Sequence, residues 1–119
     1  MSALPDPIVV RPSGPGTLDR AAVVAVDDDG SIVGRATLSR LYGPRAEIHL
    51  ELAPTTTITL ALIDALEREA RTRRIARLEL EADAVTQSTV AALRSWRPVA
   101  DELRATHAYL TWSTTLVNS

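Results

Sequence analysis

The chain has 119 residues, 45% of them hydrophobic and 24% charged, the size and composition of one globular domain that can build its own core. It holds no cysteine, which excludes a disulfide framework and a thiolate metal site, and no apolar run near the ~20 residues of a membrane helix. All thirteen basic residues are arginine, against fifteen acids for a net charge of -2, which argues against a strongly basic nucleic-acid binder. The opening MSALPDPIVV lacks the basic flank and long apolar stretch of a signal peptide, so residence in the cytoplasm is expected.

Ile8, Val9 and Val10 form a short β-branched run closed by Arg11 and Pro12, an expected outer strand. Ser13 to Arg20, with its two glycines and a proline, reads as a loop. Ala21 to Val26 is apolar at six consecutive positions, which places this strand inside a sheet covered on both faces. Asp27, Asp28, Asp29 and Gly30 supply the turn of a hairpin whose second strand runs from Ile32 to about Leu41. After Tyr42, Gly43 and Pro44, the residues Ala46, Ile48, Leu50 and Leu52 alternate with Glu47, His49 and Glu51, giving one apolar and one ionisable face. A turn centred near Gly43 predicts Ser39 opposite Glu47, Thr37 opposite His49 and Arg35 opposite Glu51.

Pro54 and the hydroxyls of Thr55, Thr56 and Thr57 precede a helix whose apolar stripe is Ile58, Leu62, Ile63, Leu66 and Ala70 and whose end is near Thr72. Arg71, Arg73 and Arg74 suit the negative end of its dipole. Ala76, Leu78, Leu80 and Ala82 alternate with Arg77, Glu79 and Glu81, and strand, helix, strand implies a right-handed parallel crossover. A second helix is expected from Thr89 to about Trp96, stopped by Pro98, and a closing hairpin from Val99 to Arg104 and His107 to Leu116.

The phrase Ser31-Ile32-Val33-Gly34 in a hairpin, the alternating run Glu47 to Leu52, and Leu62-Ile63-Asp64-Ala65-Leu66-Glu67 with Ala70, in this order of elements, resemble the GNAT N-acetyltransferases over about Ala21 to Leu116. The likeness is greatest to the acetyltransferase domains of actinobacterial protein acetyltransferases. It implies a single α/β (α+β) domain over residues 1–119, with a mixed, mostly antiparallel sheet of six or seven strands and two helices. It also implies acetyl-CoA held where the fourth strand meets the first helix, at Leu52, Thr55, Thr56, Thr57, Ile58 and Thr59.

The departures bear on activity. In the family this segment reads Arg/Gln-x-x-Gly-x-Gly/Ala, whose glycines let backbone amides approach the pyrophosphate. Here the glycine positions fall on Thr57 and Thr59, and β-branched residues obstruct that approach. An asparagine ahead of the second helix and a tyrosine near its end are replaced by Ala84 and by Arg94 or Ser95. The two helices that wall the family's acceptor site are replaced by the eight residues Ser13 to Arg20.

Glu51 is the general-base candidate, with His49 beside it on the same strand face, because a carboxylate there can take a proton from an amine directly or through water. The plainer reading is a solvated face with Glu51 paired to Arg35. No metal is expected, since alternate strand residues lie about 6.6 Å apart and three such side chains must converge on one ion. His107 reads as structural, and the arginines from Arg68 to Arg77, interleaved with Glu67 and Glu69, read as a helix end. Trp96 and Trp112 suit packing better than base stacking. Two readings follow: an acetyl-CoA-dependent N-acetyltransferase acting on an amine with a degenerate cofactor loop, or a catalytically inactive GNAT-fold binding or regulatory module. Because the sheet has more face than the helices can cover, a homodimer or an obligate protein partner is expected, with no role for nucleic acid or membrane.

Overall fold

The structure is a computed structural model that describes residues 8–82, 90, 96–98 and 110–116. Strands β1 (Val9–Pro12), β2 (Arg20–Val26), β3 (Ile32–Tyr42), β4 (Arg45–Leu52), β5 (Arg77–Ala82), β6 (Arg97–Pro98) and β7 (Leu110–Thr115) make one sheet in the order β1-β2-β3-β4-β5-β7-β6. All neighbours are antiparallel except β4 and β5, which are parallel and joined through helix α1 (Thr56–Thr72). This is the crossover that the strand, helix, strand pattern requires. β2 lies between β1 and β3, as its unbroken apolar run predicts, and β1 forms the outer edge. Among the described residues no helix is long and apolar enough to cross a membrane.

The core lies on one face of the sheet. Val23, Ala25, Ala36, Leu38, Ala46, Ile48, Leu78 and Leu80 alternate along β2 to β5 and meet Ile58, Leu62, Ile63, Leu66 and Ala70 of α1. Val90, which is helical, and Trp96 join the same cluster. The remainder of the expected second helix and the segment from Val99 to His107 lie outside the described residues. The closing hairpin begins earlier than the sequence pattern suggests: Arg97 and Pro98 pair with Ser113 and Trp112. Pro98 therefore occupies the last strand of the sheet order, the kind of edge position to which proline is confined in sheets.

One glycine sets how closely α1 lies on the sheet. A Cβ on Gly34 of β3 would fall 2.5 Å from Ile58 Cγ2, 3.2 Å from Leu62 Cδ1 and 3.2 Å from Ala25 Cβ. The first turn of the helix therefore rests on bare backbone, and this contact fixes the height of the helix start above β3.

Arginines hold the opposite end. Arg40 donates from Nε to Asp19 Oδ1 at 3.1 Å and from Nη2 to the carbonyl of Arg73 at 2.7 Å and of Leu18 at 3.2 Å, with a further bond to the carbonyl of Gly43. Arg73, the C-cap of α1, donates from Nε to the carbonyl of Thr17 at 2.7 Å and pairs with Glu69 at 2.8 Å. The short loop from Ser13 to Arg20 is thus tied to the β3–β4 turn and to the end of α1 by two guanidinium forks.

Gly34→Ala should cost about 1–3 kcal/mol through overpacking against Ile58 and Leu62, read as a lower urea midpoint. Combined with Ile58→Ala, the two changes should cost less than their sum, since each relieves the other's clash or void. Arg40→Ala should cost about 1.5–3 kcal/mol for its charged hydrogen bonds. Arg40→Lys should recover little of that in the same unfolding measurement, because an ammonium lacks the fork.

Candidate functional site

β4 and β5 pair from Arg45 with Arg77 to Ile48 with Leu80 and no further. Beyond that point the parallel strands part, leaving the carboxyl end of β4 free of its neighbour from His49 onward. Parallel strands that separate at their carboxyl ends open a crevice of the kind that takes ligands in α/β folds. The chain leaves β4 at Leu52 and enters α1 four residues later, so the helix start lies at the mouth of this opening.

At that start Thr55 is the N-cap, in an extended conformation, and its hydroxyl accepts from the Ile58 N–H at 3.2 Å. Thr59 is buried, and its hydroxyl donates to the Thr55 carbonyl at 2.9 Å. Ile58 is buried against Gly34. Of the residues expected at a cofactor loop, Thr56 and Thr57 are therefore the ones left exposed with first-turn amides that have no intrahelical partner. Their N–H groups and the positive end of the helix favour an anion, while their β-branched side chains stand beside those amides.

Register on the polar face agrees with expectation at two places and departs at the third. Ser39 pairs with Glu47 and Thr37 with His49, but Arg35 pairs with Leu52 while Ala36 pairs with Leu50. Glu51 is the extra residue of a β-bulge, so Glu51 and Leu52 together oppose Arg35. The expected ladder pairing of Arg35 with Glu51 is absent, because the bulge interrupts the period of two on which that expectation rested. Glu51, Leu52, His49 and Arg35 are all exposed. The inserted residue shifts the register of β4 against β3 at the level where β4 leaves β5.

The sequence pattern missed the ion pair in the middle of this face. Glu79, 2% exposed, accepts from Arg45 Nε at 2.7 Å and from its Nη2, and the guanidinium carbon of Arg45 stands 4.9 Å over the Tyr42 ring. The hydrogen bond to Glu79 holds the Arg45 guanidinium above its ordinary pKa, so it stays charged at every working pH. The signal was present but non-local: parallel pairing of β4 with β5 places Arg45 and Glu79 two levels apart on the same face. Ligand atoms of Glu47, His49 and Glu51 do not converge, and the acids close enough to share a cation among the described residues are the turn residues Asp27, Asp28 and Asp29. The positions of Ala84, Arg94, Ser95 and His107 lie outside the described residues.

No protein-family model and no curated protein matches the sequence. Solved structures do match. Aminoglycoside 6'-acetyltransferase type Ii superposes with a TM-score of 0.69 at 23% identity, over 85% of this chain and 72% of that one. The PaiA N-acetyltransferase of Thermoplasma acidophilum, in complex with coenzyme A, gives 0.62 at 14% identity over 82% and 62%. The GNAT domain of S. lividans PAT gives 0.63 at 15% over 83% and 62%. The chain therefore has the GNAT acetyltransferase fold. The S. lividans domain is no more similar than the aminoglycoside enzyme, so the likeness stays at the level of the fold.

The buried pair makes an asymmetric prediction. Arg45→Met strands the Glu79 carboxylate away from water, whereas Glu79→Met leaves a partly exposed guanidinium that water can reach. Thermal unfolding should show the larger loss for Arg45→Met.

Proposed function

We propose that this protein is an N-acetyltransferase that takes acetyl-CoA weakly and transfers to an amine at the carboxyl end of β4. The observation that carries this reading is the parting of β4 from β5 after Ile48 and Leu80, with the start of α1 beside it and Glu51 bulged out at its rim. The amides of Thr56 and Thr57 would hold the pyrophosphate, with Leu52 at the strand end beside them. When bound, the cofactor supplies an activated acetyl group. Glu51 accepts a proton from the ammonium form of the acceptor, leaving a neutral amine with its lone pair available; His49, two residues earlier on the strand, keeps the acceptor's surroundings polar.

The catalytically inactive reading rests on one specific feature, the threonines where close backbone approach needs glycine. Thr59 does not obstruct, since it is buried and bonded to Thr55. Thr57 is exposed and does.

Calorimetric titration with acetyl-CoA should give a Kd weaker than about 1 μM, and Thr57→Gly should tighten it several-fold. Tight binding by the unaltered protein would mean that glycine is not needed here. Failure of both proteins to bind would leave the inactive module as the reading. With binding in hand, Glu51→Gln should lower kcat by about 100-fold or more with cofactor affinity unchanged. Unchanged turnover would remove Glu51 as the base.

A further inference from the structure

The sheet face opposite α1 carries an uneven charge pattern. Across it, Val9, Val26 and Ile32 lie abreast, then Arg11, Val24 and Arg35, then Ala22, Thr37 and His49, then Arg20, Ser39 and Glu47. Four other acids are ion-paired within the chain: Asp19 with Arg40, Asp64 with Arg68, Glu69 with Arg73 and Glu79 with Arg45. The groups on this face are not. Arg11, Arg20 and Arg35 are exposed on β1 to β3, Glu47 is half-buried and Glu51 exposed on β4, and none forms an ion pair among the described residues. Apart from Arg77 at the far end of β5, the uncommitted cations of this face thus lie on β1 to β3 and the uncommitted carboxylates on β4, with uncharged Thr37 and Ser39 on β3 between them. Val9 and Ile32, 57% and 49% exposed, add apolar surface at one end.

We propose that this face binds a second copy of the chain about a two-fold axis lying between β3 and β4 and parallel to them. Such a rotation keeps each level and exchanges the two strands. Arg35 then meets the partner's Glu51, Thr37 meets the partner's His49, and Arg20 lies one strand away from the partner's Glu47. Each contact occurs twice, as an isologous interface requires. Arg45 is already held by Glu79, and Arg77 lies at the far end of the face. From strand spacing and rise, the patch covers roughly 600 Å² on each copy, or about 1,200 Å² in total, the lower end of specific interfaces. A dimer of modest, concentration-dependent stability follows. Because Glu51 lies in this contact, acetyl transfer as proposed above belongs to the monomer.

The test is sedimentation across the micromolar range without cofactor or acceptor, so that it stands apart from the catalytic reading. The unaltered protein should move from 12.8 kDa toward twice that mass as concentration rises. Arg35→Glu and Glu51→Arg should each remain monomeric, and the double exchange should restore association. Thr37→Arg, at the centre of the face, should also abolish it, and serves if either charge reversal fails to fold by circular dichroism. A monomer at every concentration overturns the proposal. So does association that survives Arg35→Glu or Thr37→Arg, which places the contact elsewhere, and so does a folded double exchange that stays monomeric.

Discussion

The contact between Gly34 and the first turn of α1 governs more of this molecule than any other. The helix that crosses from β4 to β5 lies chiefly on β2 and β3, and the absence of a side chain at Gly34 lets Ile58 and Leu62 come down onto backbone. That height sets the position of Thr56 and Thr57 relative to the end of β4. If the helix rode higher by the width of a methyl group, its free amides would rise with it, and the opening beside β4 would lose its polar wall. Packing and site are therefore one constraint: Ile58 and Thr59 are spent on the core, and Thr56 and Thr57 are exposed because those neighbours are not.

At the other end, two arginine side chains reinforce the backbone bonds that hold the loop, such as Arg40 N–H to the Asp19 carbonyl at 2.7 Å. A loop as short as Ser13 to Arg20 contributes little apolar surface, and all eight of its residues are exposed, so burial cannot secure it. Backbone carbonyls can, provided a rigid donor reaches several at once. Arg40 bonds to carbonyls of Leu18, Gly43 and Arg73, and Arg73 to those of Thr17 and Glu69. Three segments far apart in sequence are joined by geometry that lysine's single ammonium does not provide.

The elements that rest on local periodicity were legible in the sequence, and those that rest on non-local register were not. β2, β3, β4, α1 and β5 begin and end within a residue or two of their expected limits, because apolar spacing of two or 3.6 residues and the cap at Thr55 are local properties. The bulge at Glu51 was invisible for the same reason: the alternation from Ala46 to Leu52 continues through it unbroken, and only the count against β3 reveals the extra residue. The pairing of Arg45 with Glu79 required knowing which level of β4 faces which level of β5. The threonines were visible as a departure from glycine, but their division into buried Thr59 and exposed Thr57 depends on helix phase against the core.

The bulge also bears on both roles proposed for the Glu51 carboxylate. In an unbroken ladder Glu51 would stand directly across from Arg35, and a cross-strand pair of opposite charge would tie it down. The inserted residue gives Arg35 Leu52 as its register partner, and among the described residues the Glu51 carboxylate forms no ion pair. A carboxylate so released can draw a proton from an amine or meet a guanidinium from another copy, and it cannot do both at once. The same feature that would make Glu51 available as the proposed base would make it available for the proposed contact.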